Sequence, residues 1–206
     1  MSAVLRTLGK CVRETGQALD TVGLAATEKL VYLDHWSRHR QMMPLDDKSP
    51  SVAKDSFVAP NASLIGGVTV SSKASVWYGA VIRGDAGPVT IGARANLQDD
   101  VVVSGGATTI GADTTVGHSA ILMAASVGPG AFVGMKAIVE SATVEGGAMV
   151  AAAAVVAPGS VVPKGEVWGG NPAKFLRKMT EAEKSYVGKS AAGYAALAAE
   201  HDAEFA

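Results

Sequence analysis

The 206-residue chain has one cysteine, Cys11, so no internal disulfide can form and no cysteine-based zinc cluster can be built. Aromatic residues make up only 5% of the chain against 48% hydrophobic residues overall, which leaves Val, Ile, Leu and Ala to fill the core. A narrow interior suits that composition better than a sandwich built on large rings. The formal net charge of −1 gives no electrostatic case for nucleic acid as a partner. No apolar run approaches the roughly 18 residues needed to span a bilayer. Imidazoles are also scarce: His35, His39, His118 and His201 are the full set.

What the chain has instead is a period of six. From about Phe57 to Pro172 a branched aliphatic returns: Val58, Leu64, Val70, Val76 and Ile82, then Ile91, Leu97 and Val103, and onward to Val150, Val156 and Val162. A small residue often follows, as in Ile110-Gly111, Val116-Gly117 and Val133-Gly134. Helices do not repeat on six, and an ordinary two-sided strand repeats on two. Three short strands per turn, each sending one aliphatic inward, do repeat on six, with successive coils about 4.8 Å apart. The small residue suits the corner, where a large side chain would crowd the bend. These features predict an all-β core, a single-stranded parallel β-helix of hexapeptide repeats. The hexapeptide class is left-handed, against the usual crossover rule.

The repeat divides the chain into an N-terminal helical extension and linker (1–50), a β-helix (51–175) and a C-terminal helix (176–206). In the first part, Val4, Leu5, Leu8, Val12, Leu19 and Val22 recur at helical spacing, with Arg6, Lys10 and Arg13 towards the other side. No acidic residue precedes Glu14. That pattern fits a mitochondrial presequence, a helix lying on a membrane or partner, or an amphipathic helix docked on its own protein. A second helix is expected from Thr27, and Pro44 and Pro50 bound an extended connector. His35 and His39 have the i, i+4 spacing of a helical metal pair, but no third ligand accompanies them, so a solvated or partner-facing helix is expected. Cys11 is expected to be a small apolar contact. At the other end Thr180 and Glu183 form a capping-box signature for a helix carrying Tyr186, Val187, Ala191, Tyr194 and Leu197 to about Glu200. It should pack along the prism or on a neighbouring subunit.

Several strings together resemble one family. They are Trp77-Tyr78-Gly79-Ala80-Val81-Ile82-Arg83-Gly84-Asp85, Asn96-Leu97-Gln98-Asp99, Thr115-Val116-Gly117-His118-Ser119-Ala120, Phe132-Val133-Gly134-Met135 and Gly165-Glu166-Val167-Trp168-Gly169-Gly170-Asn171-Pro172-Ala173-Lys174. In this order and spacing they look like the gamma-class carbonic anhydrases. The flanking strings Val12-Arg13-Glu14-Thr15-Gly16-Gln17-Ala18-Leu19-Asp20 and Ser37-Arg38-His39-Arg40 are similar to one branch. That branch is the gamma carbonic anhydrase subunits on the matrix side of mitochondrial complex I in plants, algae and some protists.

The resemblance implies a trimer in which three histidines hold one zinc between two subunits, two from one chain and the third from its neighbour. The first ligand position falls on Ser104 and the second on Met123, and only His118, the residue donated to the neighbour's site, remains. A serine hydroxyl is a poor zinc ligand, and a thioether prefers soft ions. Catalysis by this chain alone is therefore not expected, and neither is a cofactor of its own. A zinc shared at an interface with a ligand-complete partner is the exception, with His118 completing the site. Arg83 and Asp85 resemble the family's subunit-linking pair, and Gln98 and Asp99 resemble residues that hold substrate and bound water. With the ligands gone, all four are expected to serve the interface.

The expected function is that of a non-catalytic, gamma carbonic anhydrase-like structural and assembly subunit of complex I. It would sit in a matrix-side heterotrimer with other such subunits, peripheral to the inner membrane and tied to membrane-arm subunits through its N-terminal helices. The competing expectations are a zinc-dependent hydratase site shared with an intact partner and, more weakly, a hexapeptide acyltransferase.

Overall fold

The computed structural model describes residues 3–26 and 40–205; the expected second helix, with His35 and His39, lies outside the described residues. The chain divides into two units, residues 1–39 with 206, and 40–205. In the first, helix α1 runs Ala3–Ala26. Val4, Leu8, Val12, Leu19 and Val22 all fall within an arc of about 80° at 100° per residue, and each is at least 59% exposed. Among the described residues of its unit this stripe covers nothing. Cys11 is likewise exposed, not a packed apolar contact.

In the second unit the period of six becomes a parallel β-solenoid with three faces. One face stacks Val102–Ser104, Ile121–Met123, Ile138–Glu140 and Val155–Val156. The next stacks Thr108–Ile110, Ser126–Val127, Thr143–Val144 and Val161–Val162. The third runs from Phe57–Val58 through Ser75–Val76, Asn96–Leu97, Thr115–Val116, Phe132–Val133 and Met149–Val150 to Glu166–Gly169. Two longer strands, Ser63–Val70 and Val81–Ile91, bend around a corner and belong to both of the first two faces.

The pairings between coils are parallel, with one register shift between Gly66 and Val68, and inward aliphatics stack from coil to coil: Ile82 on Val103, Val103 on Leu122, Leu122 on Val139. All four are completely buried. A second inward position, two residues earlier in the coil, is filled by Ala62, Ala80, Ala120, Ala137 and Ala154, also fully buried. Those alanines narrow the prism to the width that a single branched aliphatic per strand can fill.

The corners explain the small residues. A Cβ on Gly117 would lie 2.6 Å from the Met135 backbone nitrogen, and one on Gly134 would lie 2.5 Å from that of Ala152. Successive coils approach there backbone to backbone.

The solenoid starts earlier than the expected boundary at 51. Met42–Met43 already pairs with Leu64–Ile65, and Gln41 Nε2 donates to the Ala59 carbonyl at 3.1 Å. Met42 and Met43 lack the regular six-residue return, so the period did not reveal them. At the other end Glu166–Gly169 turns back into Lys174–Lys178, the one antiparallel pairing between strands of the sheets.

Helix α2, Glu181–Phe205, follows and runs past the expected end near Glu200. Its start is a closed capping box: Glu183 N–H donates to Thr180 Oγ1 at 3.3 Å, and Thr180 N–H donates to Glu183 Oε2 at 2.8 Å. α2 packs on its own prism, across the third face. Val187, Ala191 and Ala198 are buried, and the Tyr194 and Trp77 rings meet edge-on at 5.5 Å. Tyr186 and Leu197, expected on the packed side, are 56% and 39% exposed.

The Arg177 guanidinium, together with the Thr180 N–H, holds the Glu183 carboxyl down to about 2, from the usual 4.5. A carboxylate with a depressed folded-state value stabilises above its unfolded value and loses that contribution as pH falls. Glu183→Gln should therefore lower the thermal midpoint of α2 at neutral pH. The difference from wild type should close between about pH 4.5 and 2, as followed by circular dichroism.

Candidate functional site

The corner between the first two faces carries the two positions matched to metal ligands. Ser104 and Met123 are register partners, and Glu140 is the next residue in the same column. Their inward neighbours Val103, Leu122 and Val139 belong to the core, so these three side chains project outward. The stacking of Ser104 and Met123 is what the period of six predicts. Glu140 was not picked out, because an outward carboxylate looks like any solvated corner residue. The link Ser104-Gly105-Gly106-Ala107 turns tightly, with φ of +75° at Gly105 and +144° at Gly106, conformations that glycine adopts without strain.

The donor set decides what this column can hold. A hydroxyl, a thioether and a carboxylate are not three imidazoles, and they do not suit zinc with an open water position. Among the described residues no three His, Cys, Asp or Glu side chains converge on a point.

His118 lies on a different corner, between the third face and the first. Its Nδ1 lies 3.0 Å from Asp99 Oδ2, an ion pair when the imidazole is protonated, and both side chains are about two-fifths exposed. The other Asp99 oxygen accepts the Tyr78 N–H at 3.1 Å. The His118 N–H donates to Gln98 Oε1 at 3.1 Å. Gln98, grouped with Asp99 from the sequence, is 6% exposed and points into a buried row with Asn96 and Thr115 on the face that α2 covers.

Arg83 and Asp85 face each other within the chain. Arg83 Nε donates to Asp85 Oδ2 at 3.0 Å, a second guanidinium hydrogen bond reaches the same oxygen, and the Ala86 N–H donates to Oδ1 at 2.8 Å. The Arg83 guanidinium, followed by the Ala86 N–H, keeps the Asp85 carboxyl below its ordinary range. Ile82 stacked on Val103 puts this pair one coil below Ser104.

No profile of a known protein family matches the chain. Individual relatives do. Gamma carbonic anhydrase 3, mitochondrial, of Arabidopsis thaliana is 49% identical over 214 residues, 99% of this chain and 83% of that protein. Gamma carbonic anhydrase-like 1, mitochondrial, of the same plant is 49% identical over 176 residues, 81% of this chain and 70% of that protein. Among solved structures, a hexapeptide transferase family protein from Anaplasma phagocytophilum matches with a TM-score of 0.76 and 47% identity, over 77% of this chain and 96% of that one. The solenoid is accordingly a left-handed β-helix of hexapeptide repeats. With that fold, and with relatives of this similarity along nearly its whole length, the chain belongs to the gamma carbonic anhydrase family.

Proposed function

We propose that this chain is a non-catalytic, gamma carbonic anhydrase-like structural subunit of mitochondrial complex I, held in a matrix-side heterotrimer on the membrane arm at the inner membrane. One observation carries the reading: Ser104 lies in register against Met123 on an undamaged solenoid. The fold is kept where the ligand pair is not, which is what a scaffold retains. Relatives named as mitochondrial gamma carbonic anhydrases and as gamma carbonic anhydrase-like proteins support the compartment. The uncovered stripe of α1 supports attachment to a membrane or a partner helix. Met135, 53% exposed, stacks on the His118 corner, and Leu176, 57% exposed, lies against Gly169 at the C-terminal end of the solenoid. These apolar side chains support an edge covered by another subunit.

A second reading is favoured by the Asp99–His118 pair. A half-exposed histidine with a carboxylate 3.0 Å from one ring nitrogen is suited to complete a metal site whose other two imidazoles belong to a partner.

Native electrophoresis of mitochondrial membranes tests both. The chain should run in the complex I band, and a free soluble pool with none in that band rejects the scaffold reading. Metal analysis of the same assembly carrying His118→Ala should show lost zinc if the site is shared; unchanged zinc discards that role.

A further inference from the structure

The three faces of the solenoid present different chemistry outward. α2 lies on the third. On the second, Thr69, Thr90, Thr109, Ser126 and Thr143 are register partners from coil to coil, a ladder of hydroxyls that ends on Val161. On the first, the outward column is Val81, Val102, Ile121, Ile138 and Val155, again one per coil and in register. All five are partly exposed. Four steps of about 4.8 Å make this a branched-aliphatic stripe about 19 Å long. Continuous outward apolar surface of this kind marks an interaction site. A surface with that repeat is matched along its whole length by a second surface with the same repeat, which a prism of the same fold supplies.

Charge stands at the edges of the first face. On one coil, Met135 and Lys136 turn the corner from the third face, Ile138–Glu140 crosses the first, and Glu140 stands at the corner to the second. Lys136 and Glu140 are therefore about 13 Å apart along a single coil, at opposite edges of the face. Both are exposed, and neither makes an ion pair with a described residue. Along the five coils of the column, the other charges on these edges are Arg83, closed on Asp85, Asp99 beside His118, and Asp100, which lies two coils before Lys136 on the coil of Ser104. An opposed pair of free charges thus brackets the apolar column on one coil only.

A prism that meets a second copy through two different edges makes a head-to-tail contact. Such contacts close into a ring only when the operation relating the copies is a pure rotation, so that equivalent residues stand at one height. Lys136 and Glu140 meet that condition, because they share a coil. Had they been one coil apart, each added copy would climb by about 4.8 Å, and the contact would build a filament. We infer that the first face docks on a second copy of this chain, edge to edge, with Glu140 of one copy paired to Lys136 of the next and the aliphatic columns turned towards a common axis. The pair sets the height at which the copies meet. One coil earlier, the same height brings Met123 of one copy level with the His118 corner of the next. The inference rests on the reading of this chain as one leg of a trimer, and adds the charge pair that fixes the joint between two copies.

The test is self-association of the purified full-length chain, followed by sedimentation velocity at about 50 mM salt, where exposed charges are weakly screened. Wild type should associate. Lys136→Glu and Glu140→Lys should each raise the dissociation constant at least about tenfold, because each sets like charges against one another at every joint. The double variant, which exchanges the two charges, should return to within about threefold of wild type, a restoration that misfolding does not produce. Ile121→Lys, in the middle of the column, should leave the chain monomeric, whereas Thr109→Lys on the second face should leave association unchanged, with circular dichroism checking that both fold. A wild-type chain that stays monomeric at about 100 μM overturns the inference. So do single reversals that leave association unchanged, as they would if the copies met through α1, and so does a double variant no better than the single ones. The trimer reading fails separately, on the complex I band: a chain found there that does not pair with itself keeps that reading and loses this one.

Discussion

Replacing Ser104 and Met123 together by histidine should raise the zinc retained after dialysis by about one per chain over the unaltered chain, as measured by elemental analysis. The geometry for it is present. The two positions are register partners on consecutive coils, so two imidazoles would rise from one corner about 4.8 Å apart at the backbone, within reach of a tetrahedral ion. The third ligand would come from His118 of an adjoining copy, whose Nδ1 lies 3.0 Å from Asp99 Oδ2. Each single substitution should do little, because two ligands hold zinc far less tightly than three and the gain is strongly non-additive. A complete four-ligand structural site contributes on the order of 10–16 kcal/mol, so even a partial gain is easily seen. Adding His118→Ala to the double variant should return the metal content to background. If the double variant stays metal-free while folded and associated, the assignment of Ser104 and Met123 to the ligand positions fails. If it retains zinc with His118 removed, the assignment of His118 as the third ligand fails.

The same residues show what could be read from the sequence. The Ser104–Met123 stack was legible because a strict period lets one count coils, and two positions that follow inward aliphatics one turn apart must stack. The close approach of His118 Nδ1 to Asp99 was not legible, because the two residues sit at outward corner positions whose rotamers the repeat does not constrain. Nor could the row of Asn96, Gln98 and Thr115 be recognised as buried. Outward polar residues on a solenoid face look solvated until something covers them, and here the cover is α2, whose phase the sequence reports poorly. With alanine at 191, 192, 195, 196, 198 and 199, several sides of that helix are equally small. The structure buries Ala198 and leaves Leu197 exposed, with Phe57 and Trp77 of the solenoid and Tyr194 of α2 itself filling the seam between them. The Arg83–Asp85 fork was legible as a pair, but its closure within one chain depends on the bend in Val81–Ile91.

Leu122→Ala should destabilise the solenoid by about 3–5 kcal/mol, the upper part of the range for a buried leucine, as measured by the midpoint of urea unfolding. The size of such a loss depends on how far the surroundings can collapse into the space left behind. Here they cannot move far. Leu122 is fully buried, with Val103 directly on one side of it and Val139 on the other. The backbones of those coils are fixed by hydrogen bonds such as Val102 N–H to the Ala120 carbonyl at 3.0 Å and Ile121 N–H to the Ala137 carbonyl at 2.9 Å. The coils cannot close the gap without breaking that ladder; the flanking inward side chains Ala120 and Ala137 are too short to fill it, and the larger Val101 is held one coil away beside Val103. By the same reasoning Val127→Ala on the neighbouring face should cost less, because fewer carbons are removed. The loss at Leu122 should also disturb Met123 and, through it, the Ser104 corner, so the rebuilt zinc site is expected to weaken in a Leu122→Ala background even where the protein remains folded. A loss below about 1 kcal/mol would mean that the core relaxes around the deletion as a loosely packed interior does, and that the prism is not the stiff rod which a scaffold requires.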